Sequence, residues 1–210
     1  MSLVPRRLDH LVYATPNLEA ALTHLERILG VRPLPGGVHP AWGTRNALLS
    51  LGPESYLEVI GPDPERSLGT RPTIFGIATL QVPTLVTWAA KATNLASLVE
   101  QARQAGIDLG RPAAGNRVMP DGTDLRWQLT DPFTSRGGGL FPFFIDWGAG
   151  PHPGASAPWL ELIDFHARHP RPEETAGLLR KLGLDLRVLP GTAPILRAVV
   201  RAPAGMVTLE

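Results

Sequence analysis

The order of the predicted strands and helices constrains this chain more than any other feature, because the same order occurs twice. The first copy is predicted to have a strand over 8–14, a helix over 17–30 and three strands over 31–34, 44–51 and 55–60. The second copy is predicted to have a strand over 85–93, a helix over 94–106 and later strands over 123–130 and 140–147. A recurring β-α-β-β-β order predicts an α+β fold built from two copies of one module.

The two predicted helices begin and end with the same residue types. Asn17 and Asn94 are good N-caps, because an asparagine side chain accepts a backbone N–H of the first helical turn. Gly30 and Gly106 follow the last apolar position of each helix, where glycine enters the left-handed conformation cheaply. These matches favour a true repeat over a chance order of elements.

A third, shorter copy follows a linker rich in proline, glycine and alanine at 148–158. A strand over 160–168, a helix that begins near Pro172, and strands over 195–201 and 206–209 predict a partial βαβ-type module. The predicted modules are therefore 4–64, 80–148 and 158–210. Because one such module buries its sheet poorly alone, we expect the third to pack on the others or to pair in a homodimer.

Composition excludes several classes of protein. Apolar residues make up 43% and charged residues 19% of the 210 residues, which is typical of a globular protein. The net charge of +1 comes from scattered side chains, so no nucleic-acid groove is predicted, and the apolar runs are too short to cross a membrane. The absence of cysteine excludes thiolate sites and fits a cytoplasmic protein.

Common catalytic and nucleotide-binding motifs are also missing from the sequence. Neither Gly-x-Ser-x-Gly nor His-Glu-x-x-His occurs, so the common serine-hydrolase and zinc-protease sites are not predicted. The run Gly137-Gly138-Gly139 is followed by no Gly-Lys-Ser/Thr and no predicted helix, so it is not a phosphate-binding loop. We therefore expect no nucleotide or other organic cofactor.

Several segments together resemble a known family. They are Leu8-Asp9-His10-Leu11-Val12-Tyr13, Tyr56-Leu57-Glu58-Val59-Ile60-Gly61, the segment from His39 to Asn46, the segment from Pro120 to Trp127, and Phe143-Phe144-Ile145-Asp146-Trp147-Gly148. On these segments the chain resembles the vicinal-oxygen-chelate superfamily, and within it the glyoxalase-like domain proteins. The resemblance is good over about 8–148 and weak beyond.

The resemblance implies both a fold and a site. In this superfamily two βαβββ modules pair, and their mixed sheet curls into a cup with the helices outside. Many members hold a divalent metal in the cup, with ligands from the first and last strands of each module. Position by position, His10 matches the first-strand ligand and Glu58 the last-strand ligand of module one. An imidazole and a carboxylate suit Fe, Mn, Ni or Zn.

Module two departs from this pattern. Counting from the ends of the matching strands, Trp88 takes the place of His10 and Ile145 takes the place of Glu58, and neither can bind a metal. Three possibilities remain open. His39 completes a site with His10 and Glu58, or His152 does so, or no metal binds and His10 with Glu58 act as a catalytic acid–base or hydrogen-bonding pair.

Other residues are predicted to contact the substrate. Aromatic side chains on the strands of module two suit an apolar ligand body, and these are Trp88, Trp127, Phe143 and Trp147. Arg45, Asn46 and Arg126 are predicted to hold a carboxylate or carbonyl group, because guanidinium and amide groups suit planar oxygen pairs.

Two functions follow from these expectations. The first is a metal-assisted lyase, isomerase or dioxygenase that acts on a small oxygenated substrate in the cup. The second is a metal-free protein that binds and sequesters a small molecule, as resistance proteins of the superfamily do. The retained His10 and Glu58 favour the first, and the missing ligands of module two favour the second.

Overall fold

The computed structural model describes residues 3–65, 73–118, 124–150 and 152–210. The first part of the predicted motif from Pro120 to Trp127 therefore lies outside the described residues, as does the start of the strand predicted over 123–130.

The first module has the predicted order of elements. Its bounds are β1 Leu8–Ala14, α1 Leu18–Leu29, β2 Leu34–His39, β3 Thr44–Gly52 and β4 Ser55–Pro62. Helix α1 begins where the Asn17 side chain accepts the Ala20 N–H, and it ends where Gly30 adopts a φ of 74°. Both predicted helix signals are therefore confirmed.

The second module repeats the order. Its bounds are β5 Thr84–Lys91, α2 Leu95–Gln104, β6 Ala113–Val118, β7 Asp124–Leu129 and β8 Phe143–Asp146. A short 3₁₀ helix at Ile74–Thr79 connects the modules, and two others occur at Gly137–Gly139 and Pro153–Ser156. The sequence did not predict β6, because Ala113-Ala114-Gly115-Asn116 has few of the residue types that favour strands.

The two modules form one eight-stranded mixed sheet with the order β2-β3-β4-β1-β5-β8-β7-β6. Within each module the first and last strands are parallel, β1 with β4 and β5 with β8. The modules meet where β1 and β5 run antiparallel at the centre of the sheet. The curled sheet with helices outside is the fold that the sequence predicts.

The two faces of this sheet bury different clusters of apolar residues. The outer face, with Leu11, Leu57 and Trp88, packs under α1, α2 and the C-terminal strands in the main core. The inner face, which we call the cup, carries a second cluster that includes Val12, Ile60, Leu129 and Phe143. Ile74 and Ile77 of the connecting 3₁₀ helix add to that cluster, so the cup is largely filled.

The C-terminal module is the third, shorter copy that the sequence predicts, and it has one strand, over 187–190, that the sequence did not predict. Its bounds are β9 Glu161–His169, α3 Pro172–Lys181, β10 Arg187–Pro190, β11 Ile195–Ala202 and β12 Gly205–Leu209. Its four-stranded sheet has the order β10-β9-β11-β12, so β9 pairs with the second strand of its module rather than the last. It shares element order with the other modules but has a different topology.

The third module packs on the first two, one of the two outcomes that the sequence predicts. Phe165 and Leu196 belong to the same core cluster as Leu57, and the Leu85 N–H donates to the Glu210 carbonyl at 2.8 Å. The predicted homodimer and the module boundaries stay predictions. None of the helices in the described part of the chain combines the length and apolar character that crossing a lipid bilayer requires.

Candidate functional site

A bulge in the central strand β1 brings two adjacent polar residues to the cup. Leu8 is opposite Ala90 and His10 is opposite Ala89, so Asp9 is an extra residue in the β1–β5 ladder. Without the bulge, Asp9 and His10 would point to opposite faces of the sheet. Instead Asp9 Oδ1 lies 2.7 Å from His10 Nδ1, and both side chains are buried.

The second feature of the site is the pairing of β1 with β4. His10 aligns with Tyr56, and Glu58 is two residues further along β4, on the same face of the sheet. His10 Nε2 and Glu58 Oε2 are 3.9 Å apart and border a cavity of about 30 Å³. We call this cavity the inner recess; six of the residues that line it are His10, His39, Tyr56, Glu58, Trp127 and Phe143.

Asp9 is the anchor of the histidine. Its carboxylate contacts His10 Nδ1, accepts the Trp147 indole N–H at 3.1 Å and lies 3.6 Å from His152 Nε2. Burial acts to raise the pKa of Asp9, but the hydrogen bond with His10 and the charges of the nearby His10 and His152 rings outweigh it and lower the pKa to about 2. An ionised Asp9 fixes the His10 proton on Nδ1, so Nε2 faces the inner recess.

Glu58 is also oriented by a hydrogen bond to the carboxylate oxygen that does not face His10. The Asn46 side chain on β3 donates from Nδ2 to Glu58 Oε1 at 2.5 Å. Asn46 Oδ1 in turn accepts the backbone N–H of Gly37 at 2.8 Å, which sets the direction of the amide. A Cβ at Gly36 would lie 2.3 Å from Asn46 Oδ1, so glycine is required for this close approach. Oε2 of Glu58 is left to face His10.

Aromatic rings enclose the pair. Tyr56 stacks on the His10 ring with centroids 4.6 Å apart, and Phe143 meets that ring edge-on at 5.4 Å. Trp127 and Trp147 line the inner recess from module two, 5.3 Å from each other. Apolar walls around two ionisable groups exclude bulk water and strengthen their electrostatic interactions.

Not every predicted substrate-contacting residue lies in the cup. Trp88 is on the outer face, fully buried, with its indole N–H donating to the Leu140 carbonyl at 2.9 Å. Arg45 pairs with Asp63 at 3.1 Å on the face opposite to its neighbour Asn46. Arg126 is exposed between Leu125 and Trp127, which both point into the cup. Asn46 is in the cup, where its contact is with Glu58.

The strand pairings also correct the match between the modules. Thr15 donates to the Ile60 carbonyl in module one, and Ala92 donates to the Ile145 carbonyl in module two. Ala14 and Ile60 therefore match Lys91 and Ile145. Counting back along each strand places Thr87, not Trp88, at the position of His10, and Phe143, not Ile145, at that of Glu58. Counting from Thr93 put the match off by one residue.

The described side chains in the cup make an incomplete donor set for a divalent metal. His39 lines the inner recess, but its Nδ1 is 3.1 Å from the Thr44 hydroxyl, and His152 lies behind Asp9. Within residues 3–65, 73–118, 124–150 and 152–210, no three His, Asp or Glu side chains converge closely enough to hold an ion. Catalytic metal centres have three protein ligands as a rule, so His10 and Glu58 are one donor short of that set.

Sequence reasoning missed Asp9 as a site residue. Strict alternation along β1 would place it on the face opposite to His10, and the bulge that reverses this has no distinctive sequence signal. The sequence nevertheless contains a signal for a buried role of Asp9. A carboxylate between Leu8 and His10 in an otherwise apolar strand requires buried partners, because an unpaired buried charge costs several kcal/mol.

Comparisons with known proteins found several similar structures and one matching family model. The chain has the fold of a hypothetical protein from Staphylococcus aureus, with 13% identity, a TM-score of 0.70 and coverage of 99% of both chains. A methylmalonyl-CoA epimerase from Mycobacterium tuberculosis matches 69% of this chain and 89% of its own, with 20% identity and a TM-score of 0.42.

A methylmalonyl-CoA epimerase from Streptomyces coelicolor, in complex with 2-nitronate-propionyl-CoA, matches 70% of this chain and 98% of its own, with 19% identity and a TM-score of 0.46. No curated protein gives a significant match. The sequence model of the family described as Glyoxalase-like domain matches residues 8–183, which is most of the chain. With its paired βαβββ modules, the chain belongs to the glyoxalase-like domain family.

Proposed function

We propose that this protein is a small-molecule enzyme that moves a proton on an oxygenated substrate, as an isomerase or lyase does. Its acid and base are His10 and Glu58. One observation carries the proposal: the 3.9 Å between His10 Nε2 and Glu58 Oε2, with each side chain held from behind. That distance is too long for a hydrogen bond, so a proton passes between the two groups through a bound substrate atom.

The reaction follows from the two positions. Glu58 Oε2 removes a proton from the carbon next to a substrate carbonyl, and the C–H electron pair becomes the C=C bond of an enol. The protonated His10 ring, stabilised by ionised Asp9, donates its Nε2 proton to the carbonyl oxygen. When the substrate is a hydroxy ketone, the enol is an enediol. Return of the proton from Glu58 to the neighbouring carbon, with loss of the other hydroxyl proton to His10, gives the isomer and restores both groups.

The positioning residues support this assignment. Asp9 and Asn46 each hold one nitrogen or oxygen of the pair, so the reactive atoms keep their orientation without the substrate. The inner recess of about 30 Å³ holds only the reacting atoms, and the aromatic walls keep water from competing for the proton.

Hydrogen exchange tests the proposal. The metal-free protein is incubated in D₂O with each of a panel of small hydroxy ketones and dicarbonyl compounds. We expect it to catalyse deuterium incorporation at the carbon next to the carbonyl group in at least one of these compounds, measured by NMR. His10→Gln and Glu58→Gln should each lower the rate by about 100-fold or more, because one proton carrier is lost. His24→Gln and Glu173→Gln, both at exposed positions on helices, are the matched controls.

Exchange at wild-type rates in both site variants would refute the proposal. Tight binding of a panel compound with no exchange would instead support a metal-free sequestering protein, which uses the same pair for hydrogen bonds.

A metal-assisted lyase or dioxygenase is the second candidate, and Asp9 is the observation that favours it. Metal-binding histidines commonly donate their other ring N–H to a carboxylate, as His10 does to Asp9. Such an ion (Fe, Mn, Ni or Zn) would polarise a substrate oxygen, but its described ligands would be His10 and Glu58 alone. Exchange that needs added metal, with stoichiometric metal lost in both site variants, would favour this candidate.

A further inference from the structure

A second cavity, which we call the outer groove, lies beside the inner recess. Its walls come from β5 at 84–87, the loop at 131–138 and the third module at 194–196. Its volume is about 560 Å³, within the usual range of small-molecule sites. Phe75, Pro132 and Phe143 line both cavities, so the two cavities meet at these side chains.

An aromatic pair lies where the two cavities meet. Phe75 stacks on Phe143 with centroids 5.9 Å apart and planes 28° apart, and Phe143 also meets the His10 ring edge-on at 5.4 Å. Phe75 also adopts a φ of 55°, which is costly for a residue with a large side chain. A group bound against Phe143 in the outer groove is therefore one ring away from the acid–base pair.

The outer groove has an unusually apolar rim. Val82, Phe133 and Ile195 are 63%, 52% and 37% exposed, and all three border this cavity. Single exposed apolar side chains are ordinary, but three around one cavity indicate a surface that gains free energy when a ligand covers it.

The charges in the wall exclude an anionic ligand body. Arg136 is the one cation among the described residues that line the outer groove. Its guanidinium donates to the Asp108 carbonyl at 2.6 Å, to the Asp131 carbonyl at 3.0 Å and to the Asp131 carboxylate at 3.1 Å. Because these acceptors occupy Nε and both terminal nitrogens, little capacity remains for a phosphate or carboxylate.

We infer that the outer groove binds the uncharged, apolar body of an elongated ligand whose oxygenated end is held in the inner recess. The position of the reactive end rests on the proposed function, whereas binding of the body does not. The third module then has a direct role, because Pro194, Ile195 and Leu196 supply one wall of the site.

Two fluorescent probes with the same apolar skeleton test the inference. N-phenyl-1-naphthylamine is uncharged, and 1-anilinonaphthalene-8-sulfonate adds one sulfonate. We expect the uncharged probe to bind at one site per chain, about tenfold more tightly than the sulfonate, because the described residues that line the groove offer that anion no free cation. Equal or tighter binding of the sulfonate would overturn the inference, as would no saturable binding of the uncharged probe.

Variants locate the binding. Phe133→Gln combined with Ile195→Gln changes two exposed apolar residues of the groove, one from the 131–138 loop and one from the third module, and it should raise the Kd of the uncharged probe by about tenfold. Met206→Gln, at a 54% exposed position on β12 outside the groove, is the matched control and should leave the Kd unchanged. An unchanged Kd in the double variant, with its thermal midpoint intact, would overturn the inference.

The two proposals fail separately. His10→Gln should leave the Kd of the uncharged probe within about twofold, since its ring does not line the outer groove. Probe binding without deuterium exchange in any panel compound would refute the proposed function alone. Exchange that depends on His10, with no effect of the double variant on probe binding, would refute the outer groove alone.

Discussion

Trp88→Ala should lower the free energy of unfolding by about 3–5 kcal/mol, the largest loss of stability that we expect from one substitution. The indole is fully buried in the main core, and it packs edge-on against Phe165 of the third module at 5.6 Å. Its removal leaves a cavity between the modules and leaves the Leu140 carbonyl without its N–H donor. Urea unfolding followed by circular dichroism measures the effect.

Trp159→Ala is the matched control, because that indole is 61% exposed and its loss should change the free energy of unfolding by less than about 0.5 kcal/mol. A change below about 1 kcal/mol in Trp88→Ala would contradict the structural role given to this residue. If ligand binding were lost at unchanged stability, the sequence-based prediction of a substrate contact at Trp88 would be favoured instead.

Asp9→Asn should make the stability of the protein much less sensitive to acid. The pKa of Asp9 in the folded protein, about 2, is below its ordinary value of 3.8. The ionised carboxylate therefore stabilises the wild-type fold above about pH 4, and this contribution is lost as the pH falls towards 2. The shift corresponds to about 2 kcal/mol. Urea unfolding measures the free energy of unfolding at pH 5 and at pH 2. The difference between these two values should be smaller in Asp9→Asn than in the wild type by this amount.

The control for this effect is Glu173→Gln, which removes an exposed carboxylate from α3 and should keep the wild-type dependence on pH. An Asp9→Asn variant that loses as much stability in acid as the wild type would show that the Asp9 contacts with His10, Trp147 and His152 do not hold its charge in place.

Much of the fold was predictable because its signals are local. The asparagine N-cap of α1, the glycine at its end and the apolar positions along it suffice to place this helix. The repeated order of elements predicts the paired modules. The topology of the third module was not predictable in the same way. Whether β9 pairs with the second or the last strand of its module depends on packing against the outer face, which element order alone does not specify.

The site was predictable only in part. His10 and Glu58 follow from the family resemblance, and parallel pairing of β1 with β4 brings them to one face. The position of Asp9 in the cup depends on a bulge that the sequence does not signal. The match at Trp88 was wrong by one residue, and a shift of one residue along a strand moves a side chain from the cup to the main core. Asn46 was predicted to hold the substrate, but its amide is engaged by Glu58 and Gly37, a long-range contact that spacing does not reveal.

The nitrogen NMR spectrum of the His10 ring tests the central claim most directly, namely that Asp9 orients His10 towards Glu58 for proton transfer without a resident metal. In the metal-free protein we expect Nδ1 of His10 to be protonated and hydrogen-bonded to Asp9. In Asp9→Asn the Nδ1 proton should exchange with solvent faster. Addition of one equivalent of Zn²⁺ or Mn²⁺ should leave the ring signals unchanged. An unprotonated Nδ1, or an Nε2 signal that shifts stoichiometrically with added metal, would contradict the account.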